Sequence, residues 1–99
     1  MTKNQSLSET LIRKETKISD GIEYCYTLTV KESLLVTSYK IPLYSVNIRM
    51  TMQNGEKTNA SARDVFADAN TAIRFFDKLV KNLATPIDLP YVLEDEFNN

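Results

Sequence analysis

The sequence contains no histidine and only one cysteine, Cys25. Histidine is the usual general base near neutral pH and the commonest metal ligand, so its absence argues against both kinds of site. A single cysteine cannot form a disulfide within the chain, and Cys25 has no imidazole to activate its thiol. We therefore expect no enzyme activity, no catalytic residue, no metal site and no cofactor.

Glycine, long apolar runs and net charge are also scarce. The two glycines, Gly21 and Gly55, both fall at turn signals, so no glycine-rich loop remains to hold a phosphate group. The polar first residues lack an apolar signal segment and no later run is long enough to span a bilayer, which predicts a cytoplasmic protein without a membrane partner. The net charge of −1 provides no overall field that would attract nucleic acid or an anionic membrane.

The remaining composition is that of an ordinary small domain. Of the 99 residues, 42% are hydrophobic and 25% are charged, and a chain of this size can bury one core. Residues 1–8 show no periodicity and predict a disordered tail. Residues 9–99 then form a single α+β domain.

Two β-rich runs surround a turn signal at residues 19–21. The second run alternates apolar and polar residues, which is typical of a half-buried strand. Parity favours a three-residue loop, because it pairs Ile18 with Ile22 and Ile12 with Leu28 and so keeps apolar side chains on one face. A two-residue loop instead sets charged residues of the first strand opposite tyrosines of the second.

A longer strand and a second hairpin follow. The apolar positions change parity beside Pro42, which predicts a β-bulge there or an edge strand. The stretch MQNGE is the next turn signal, and parity favours a three-residue loop over residues 53–55. That loop places Thr58, Ala60 and Ala62 opposite Met50, Ile48 and Val46.

Residues 60–67 fit either a fourth strand or the start of a helix. We interpret them as a strand, with Asp68 beginning the helix that follows. That helix has one broad apolar side and ends before Pro86. The pattern as a whole predicts an α+β fold: an antiparallel β-meander of three to four strands followed by two C-terminal helices packed on one face.

The final helix has favourable residues at its N-terminus and unfavourable residues at its C-terminus. Asp88 is a good N-cap, and Pro90 lies in the first turn where its missing N–H costs little. The last turn carries Glu94, Asp95 and Glu96, although acids at a helix C-terminus oppose the helix dipole by roughly 0.3–1 kcal/mol each when exposed. These three consecutive residues point in different directions and match no metal-binding spacing, so they predict no metal site. The sequence also offers no structural reason for them.

The stretch DVFADANTAIRFFDKLVKNLATPIDLPYVLEDEF contains a TPI-x-L turn and a V-x-ED-x-F helix. It resembles the end of a family of small proteins from anaerobic Gram-positive bacteria that is classified as a domain of unknown function. The residues that match are Thr85, Pro86, Ile87, Leu89, Val92, Glu94, Asp95 and Phe97. The segment Ser38–Ile41 extends the match weakly, and Asp88 stands where many members carry histidine. The resemblance implies a β-rich first half, two helices, a bacterial origin and a cytosolic location, and it implies no activity.

A protein-interaction surface is the candidate site that the sequence supports best. Phe75 lies at the edge of the apolar side of its helix, so we expect it to remain partly exposed. Two charged groups accompany it: a basic stripe on the same helix and an acidic end on the final helix. The basic stripe is Arg74, Lys78 and Lys81, and the acidic end is Glu94, Asp95 and Glu96.

We therefore expect a non-catalytic protein-interaction or regulatory module. Its partner is another protein, or a second copy whose basic stripe meets the acidic end to form a homodimer. The alternative is a nucleic-acid-associated accessory protein that uses the basic stripe, although three aligned cations are few for strong phosphate binding. A small-molecule binder or an enzyme comes third, because no group poised for chemistry is visible.

Overall fold

The computed structural model describes residues 9–34 and 40–98. Four strands precede two helices: β1 (Thr10–Ser19), β2 (Ile22–Leu34), β3 (Lys40–Thr51), β4 (Lys57–Phe66), α1 (Ala69–Lys81) and α2 (Leu89–Phe97). The strands form one antiparallel sheet in the order β1-β2-β3-β4. The predicted α+β meander is thus confirmed, and residues 60–66 belong to a strand. The expected tail at residues 1–8, and Ser38 and Tyr39 of the weak family match, lie outside the described residues.

The helices pack on one face of the sheet and form the core with it. Helix α1 contacts β2, β3 and β4, and α2 contacts β4. Alternate residues of the strands face the helices, as the period of a half-buried strand requires. The largest side chains that are fully buried there are Tyr26, Leu28, Val46, Ile48, Phe75, Phe76, Leu79 and Leu89. Strand β1 lies outside this covered area, and nearly all of its residues are exposed.

The first hairpin has a two-residue loop, so the predicted three-residue loop is wrong. Ser19 pairs with Ile22, and both loop residues have positive φ angles, 55° at Asp20 and 77° at Gly21. Such a turn matches the twist of the strands, and Asp-Gly is one of its preferred sequences. The parity argument failed because the helices do not cover β1, so its apolar residues gain nothing from facing them.

In the register of this hairpin, the apolar residues of β1 do not have the partners that the sequence predicts. Ile18 pairs with Glu23 on the face without helices, where it is 74% exposed. Ile12 does not pair with Leu28, because the register shifts between Leu11 and Arg13 and leaves Ile12 as an extra residue. A shift of this kind is a β-bulge, which bends and twists its strand.

The second hairpin has the register that the sequence predicts. Its loop is closed by the bond from the Met52 N–H to the Glu56 carbonyl, at 2.7 Å, with three residues between them. Gly55 supplies the positive φ angle, 93°. The strand pairs that follow are Met50 with Thr58, Ile48 with Ala60 and Val46 with Ala62.

Of the two interpretations of Pro42, a β-bulge or an edge strand, the structure supports the edge and shows no bulge at this position. Pro42 pairs with Glu32 within an unbroken register between β2 and β3. The pairing of β3 with β4 reaches only to Tyr44, so among the described strands Pro42 has a neighbour on one side, as an edge position allows. The irregularity lies in β4 instead, where the register shifts beyond Val46 and Asp64 has a φ angle of 57°.

Helix α1 has well-formed ends. The Thr71 N–H donates to the Asp68 carboxylate at 2.8 Å, which confirms the predicted cap. The bond from the Thr71 hydroxyl, followed by that from the Thr71 N–H, holds the pKa of Asp68 below its usual value. At the other end the Ala84 N–H donates to the Leu79 carbonyl and the Leu83 N–H to the Val80 carbonyl. With the φ angle of 52° at Leu83, this is a Schellman motif that turns the chain away from the helix.

Tyr26 fastens the connection between the helices to the sheet. Its hydroxyl donates to the Ala84 carbonyl at 2.8 Å across 58 residues of sequence, and the side chain is 0% exposed. Burial, followed by the nearby charges of Tyr24 and Asp88, raises the pKa of Tyr26 to about 12. The neutral phenol therefore holds the end of α1 against β2.

Asp88 precedes α2, as predicted, but its carboxylate caps an earlier turn. The Thr85 N–H donates to Asp88 Oδ2 at 2.9 Å, and the Asp88 N–H donates to Thr85 Oγ1 at 3.3 Å. This reciprocal pair is a capping box, with an aspartate in the acidic position. No side chain bond joins Asp88 to the first N–H groups of α2.

The capping box gives Asp88 a structural role that Asp95, another exposed acid of this region, does not have. We expect Asp88→Ala to lower the free energy of unfolding by about 0.5–2 kcal/mol, because Thr85 loses its partner. Asp95→Ala is the matched control, and we expect it to raise the free energy of unfolding slightly, because an acid in the last turn opposes the helix dipole. Urea denaturation of both variants measures the difference, and equal effects from the two would refute the capping role.

Candidate interaction surface

Phe75 is buried, so the prediction that it remains partly exposed is wrong. Its side chain is 1% exposed. The ring centroid lies 5.1 Å from that of Phe66 at the end of β4, and the Lys78 ammonium lies 5.7 Å from the Phe75 centroid. The end of β4 therefore covers the flank of α1 that the helical pattern left open, and Phe75 belongs to the core.

The basic stripe and the acidic end meet within one chain at a single point. Lys78 Nζ donates to Glu96 Oε1 at 2.9 Å, and both side chains are partly buried. An ion pair in such a place contributes up to about 1 kcal/mol. This bond supplies a structural reason for Glu96, because it ties the last turn of α2 to α1.

The other charged candidates remain at the surface. Arg74 and Lys81 are exposed on α1, and Glu94 and Asp95 are exposed on α2. Neither of those two acids forms an ion pair with any of the described residues. Both lie in the second half of α2, where the dipole disfavours them. The structure thus brings Lys78 and Glu96 together and leaves these two acids without a structural role.

An apolar surface beside these acids was not predicted. Tyr91 is 69% exposed and Phe97 is 58% exposed, although the Phe97 ring lies 5.7 Å from that of Phe66. We call this surface the α2 patch; it is a shallow groove lined by Pro90, Tyr91, Leu93 and Phe97, with Glu94 at its edge. The signal in the sequence is that α2 has apolar residues on more sides than one sheet can cover.

The middle of the sheet face without helices is polar. Thr27, Thr29, Ser45 and Asn47 line a shallow hollow there together with Ser61 and Arg63. Asn47 Nδ2 donates to Ser61 Oγ at 2.7 Å. Cys25 lies on this face and is buried as a free thiol. Such a surface suits contact with water better than apolar docking.

The described ranges, 9–34 and 40–98, contain neither a cluster of metal ligands nor a helix that could cross a membrane. No group of three or more histidine, cysteine, aspartate or glutamate side chains is arranged to hold a metal ion. No helix in the same ranges is long and apolar enough to cross a membrane.

Comparison with known protein families extends the resemblance seen in the C-terminal stretch. Residues 5–99 match a family of unknown function, DUF6514. The chain belongs to this family. The DUF6514 match covers the sheet as well as the helices, so both layers of the fold belong to the family's shared region. None of the curated proteins and none of the solved structures with which the chain was compared matches it.

Proposed function

We propose that this DUF6514 chain is a non-catalytic protein-interaction module that binds a partner protein through the α2 patch and its two exposed acids. The proposed setting is the cytoplasm of a bacterium, in keeping with the composition and the C-terminal resemblance. The partner surface has a matching chemistry: an apolar ridge or pocket flanked by lysine or arginine.

The observation that supports this most strongly is the pairing of exposed aromatic rings with acids that cost the fold stability. Covering a side chain such as Phe97 or Tyr91 contributes on the order of 1.5–3 kcal/mol. Glu94 and Asp95 each cost roughly 0.3–1 kcal/mol where they lie. A basic partner offsets that cost, so the same residues that weaken the isolated protein strengthen a complex.

The shifted pKa values support a non-catalytic role. Catalytic groups commonly have perturbed pKa values in a cleft. In the described part of the chain, the two groups with a clear shift are Tyr26 and Asp68. Burial, followed by the charges of Tyr24 and Asp88, accounts for the raised pKa of Tyr26. The hydrogen bonds from Thr71 account for the lowered pKa of Asp68, so both shifts have a structural cause.

The nucleic-acid alternative has less support. Lys78 is engaged by Glu96, which leaves Arg74 and Lys81 as the exposed cations of the basic stripe. The acids of α2 lie on the neighbouring helix and repel phosphate groups. Two exposed cations release few counterions, so we expect weak binding to nucleic acid at physiological salt.

The test is affinity capture from the native cell extract with the wild type and with two variants of the proposed surface. We expect a stoichiometric partner protein that is lost with Tyr91→Ala and with the double reversal Glu94→Lys and Asp95→Lys. Lys57→Glu, an exposed reversal at the start of β4, is the matched control and retains the partner. Absorbance at 260 nm reports nucleic acid in the eluate.

Two results would overturn the proposal. A partner held equally by all variants binds elsewhere on the protein. Nucleic acid that is captured by the wild type and lost with Arg74→Glu and Lys81→Glu favours the alternative function.

A further inference from the structure

Strand β1 is an edge of the sheet, and α1 reaches it through the exposed ion pair of Arg13 with Asp77, at 3.5 Å. Its only strand neighbour within the described residues is β2, and the helices lie over β2, β3 and β4. Leu11, Ile12 and Ile18 are all large exposed apolar residues on this one strand. An edge of this kind presents unpaired N–H and C=O groups to another strand.

The regular part of β1 is symmetric about Thr16. The bulge at Ile12 interrupts the register on one side, and the Asp20-Gly21 turn ends the strand on the other. Between them lies the stretch 13–19, of which Thr16 is the midpoint. A second copy that adds here in antiparallel fashion through a two-fold axis must pair residues that share a face, so the axis passes through a residue.

The charges of β1 select one position for that axis. An axis at Arg13, Lys14, Glu15 or Lys17 places a charged residue opposite its own copy, which is destabilising. An axis at Ile18 pairs only a few residues of β1 with the second copy, because the Asp20-Gly21 turn ends the strand there. An axis at Thr16 pairs Lys17 with Glu15 of the second copy, twice by symmetry, and creates no like-charge pair.

We propose that a second copy of this chain pairs with β1 in the antiparallel register centred on Thr16, which joins the two sheets into one of eight strands. Both helix layers then lie on the same face of the joined sheet, because the two-fold axis is perpendicular to it. The interface is small, so the dimer dissociates with a constant in the micromolar range or weaker. Helix α2, which carries the α2 patch, packs against β4 at the opposite edge of the sheet. This inference is therefore independent of the proposed function.

Sedimentation equilibrium of charge variants tests the pairing. We expect Glu15→Lys or Lys17→Glu alone to raise the dissociation constant about tenfold or more, because each creates two like-charge pairs. The exchange of both residues, Glu15→Lys with Lys17→Glu, restores the dimer. Lys57→Glu is the control and leaves the constant unchanged. A wild type that is monomeric up to about 1 mM, or an exchange variant that fails to recover while circular dichroism shows it folded, overturns the proposal.

Disulfide trapping tests the register independently. Thr16→Cys is made in a Cys25→Ser background, because Cys25 pairs with Thr16 within the chain. Directly paired residues have Cα atoms about 4.5–5.5 Å apart, which suits a disulfide, so mild oxidation links the two copies. A mixture of the Lys14→Cys variant and the Ile18→Cys variant forms the disulfide between copies, and neither variant forms it alone. Linkage of Lys14→Cys to itself at the rate of Thr16→Cys contradicts the register.

Discussion

Replacing Phe75 with alanine is expected to lower the free energy of unfolding by about 3–5 kcal/mol, as for other buried phenylalanines. The ring is almost completely buried and packs against Phe66. The variant loses the transfer free energy of the ring and leaves a cavity between α1 and the end of β4. Because small domains are stable by only about 5–15 kcal/mol, this single change brings the protein close to unfolding at ordinary temperatures.

Urea denaturation of the variant and of a matched control measures this effect. Tyr91→Ala removes an aromatic ring from the same helical layer, but that ring is largely exposed. We expect the control to change the free energy of unfolding by less than about 0.5 kcal/mol. A larger loss from Tyr91→Ala than from Phe75→Ala would contradict the burial of Phe75 and the exposure of Tyr91. Any loss of binding in a Phe75 variant must therefore be checked against its folding first.

Replacing Tyr26 with phenylalanine is expected to cost about 1–3 kcal/mol near neutral pH, because the buried Ala84 carbonyl then has no donor. Stability should also depend on alkaline pH in the wild type. Unfolded tyrosine ionises near pH 10 and Tyr26 in the fold near pH 12, so the folded state holds this proton more tightly. The contribution of Tyr26 is complete below pH 10 and is lost as the pH rises from 10 to 12.

The measurement is urea denaturation at several pH values between 8 and 11, for the wild type, Tyr26→Phe and Tyr91→Phe. The wild type and Tyr91→Phe should lose stability alike at the alkaline end, by roughly 1.4 kcal/mol at pH 11, which is about half of the loss over the whole titration. Tyr26→Phe begins less stable and loses less as the pH rises. Parallel pH profiles for all three proteins would mean that Tyr26 is not the responsible group.

The two hairpins show when parity predicts a register and when it does not. In the second hairpin both strands face α1, so a shift of one residue would expose Ile48 and the apolar pattern decided the register. In the first hairpin the helices stop short of β1, and the turn preference of Asp20-Gly21 decided it instead. Sequence patterns reveal which residues are apolar, but they do not reveal where the second layer ends.

Only part of the candidate surface was predicted, because sequence patterns do not reveal how the helices of the second layer are placed. The exposed positions of Arg74 and Lys81 follow from helical periodicity alone. The burial of Phe75 depends on the end of β4, and the bond between Lys78 and Glu96 depends on how α2 crosses α1. Both are tertiary contacts between separate elements, and no local pattern encodes the angle between them. The α2 patch was not predicted because the sequence does not reveal which side of α2 packs against β4.

The sequential order of the meander and the helices has a consequence for synthesis on the ribosome. Every strand pairs with its neighbour in sequence, and the whole sheet precedes both helices along the chain. The strands that carry Tyr26 and Ile48 therefore leave the ribosome ahead of the helices that bury these side chains. The last element to emerge is α2, whose connection with α1 accepts the hydrogen bond from Tyr26. The nascent sheet thus has one apolar face uncovered until α1 and α2 follow it out of the ribosome.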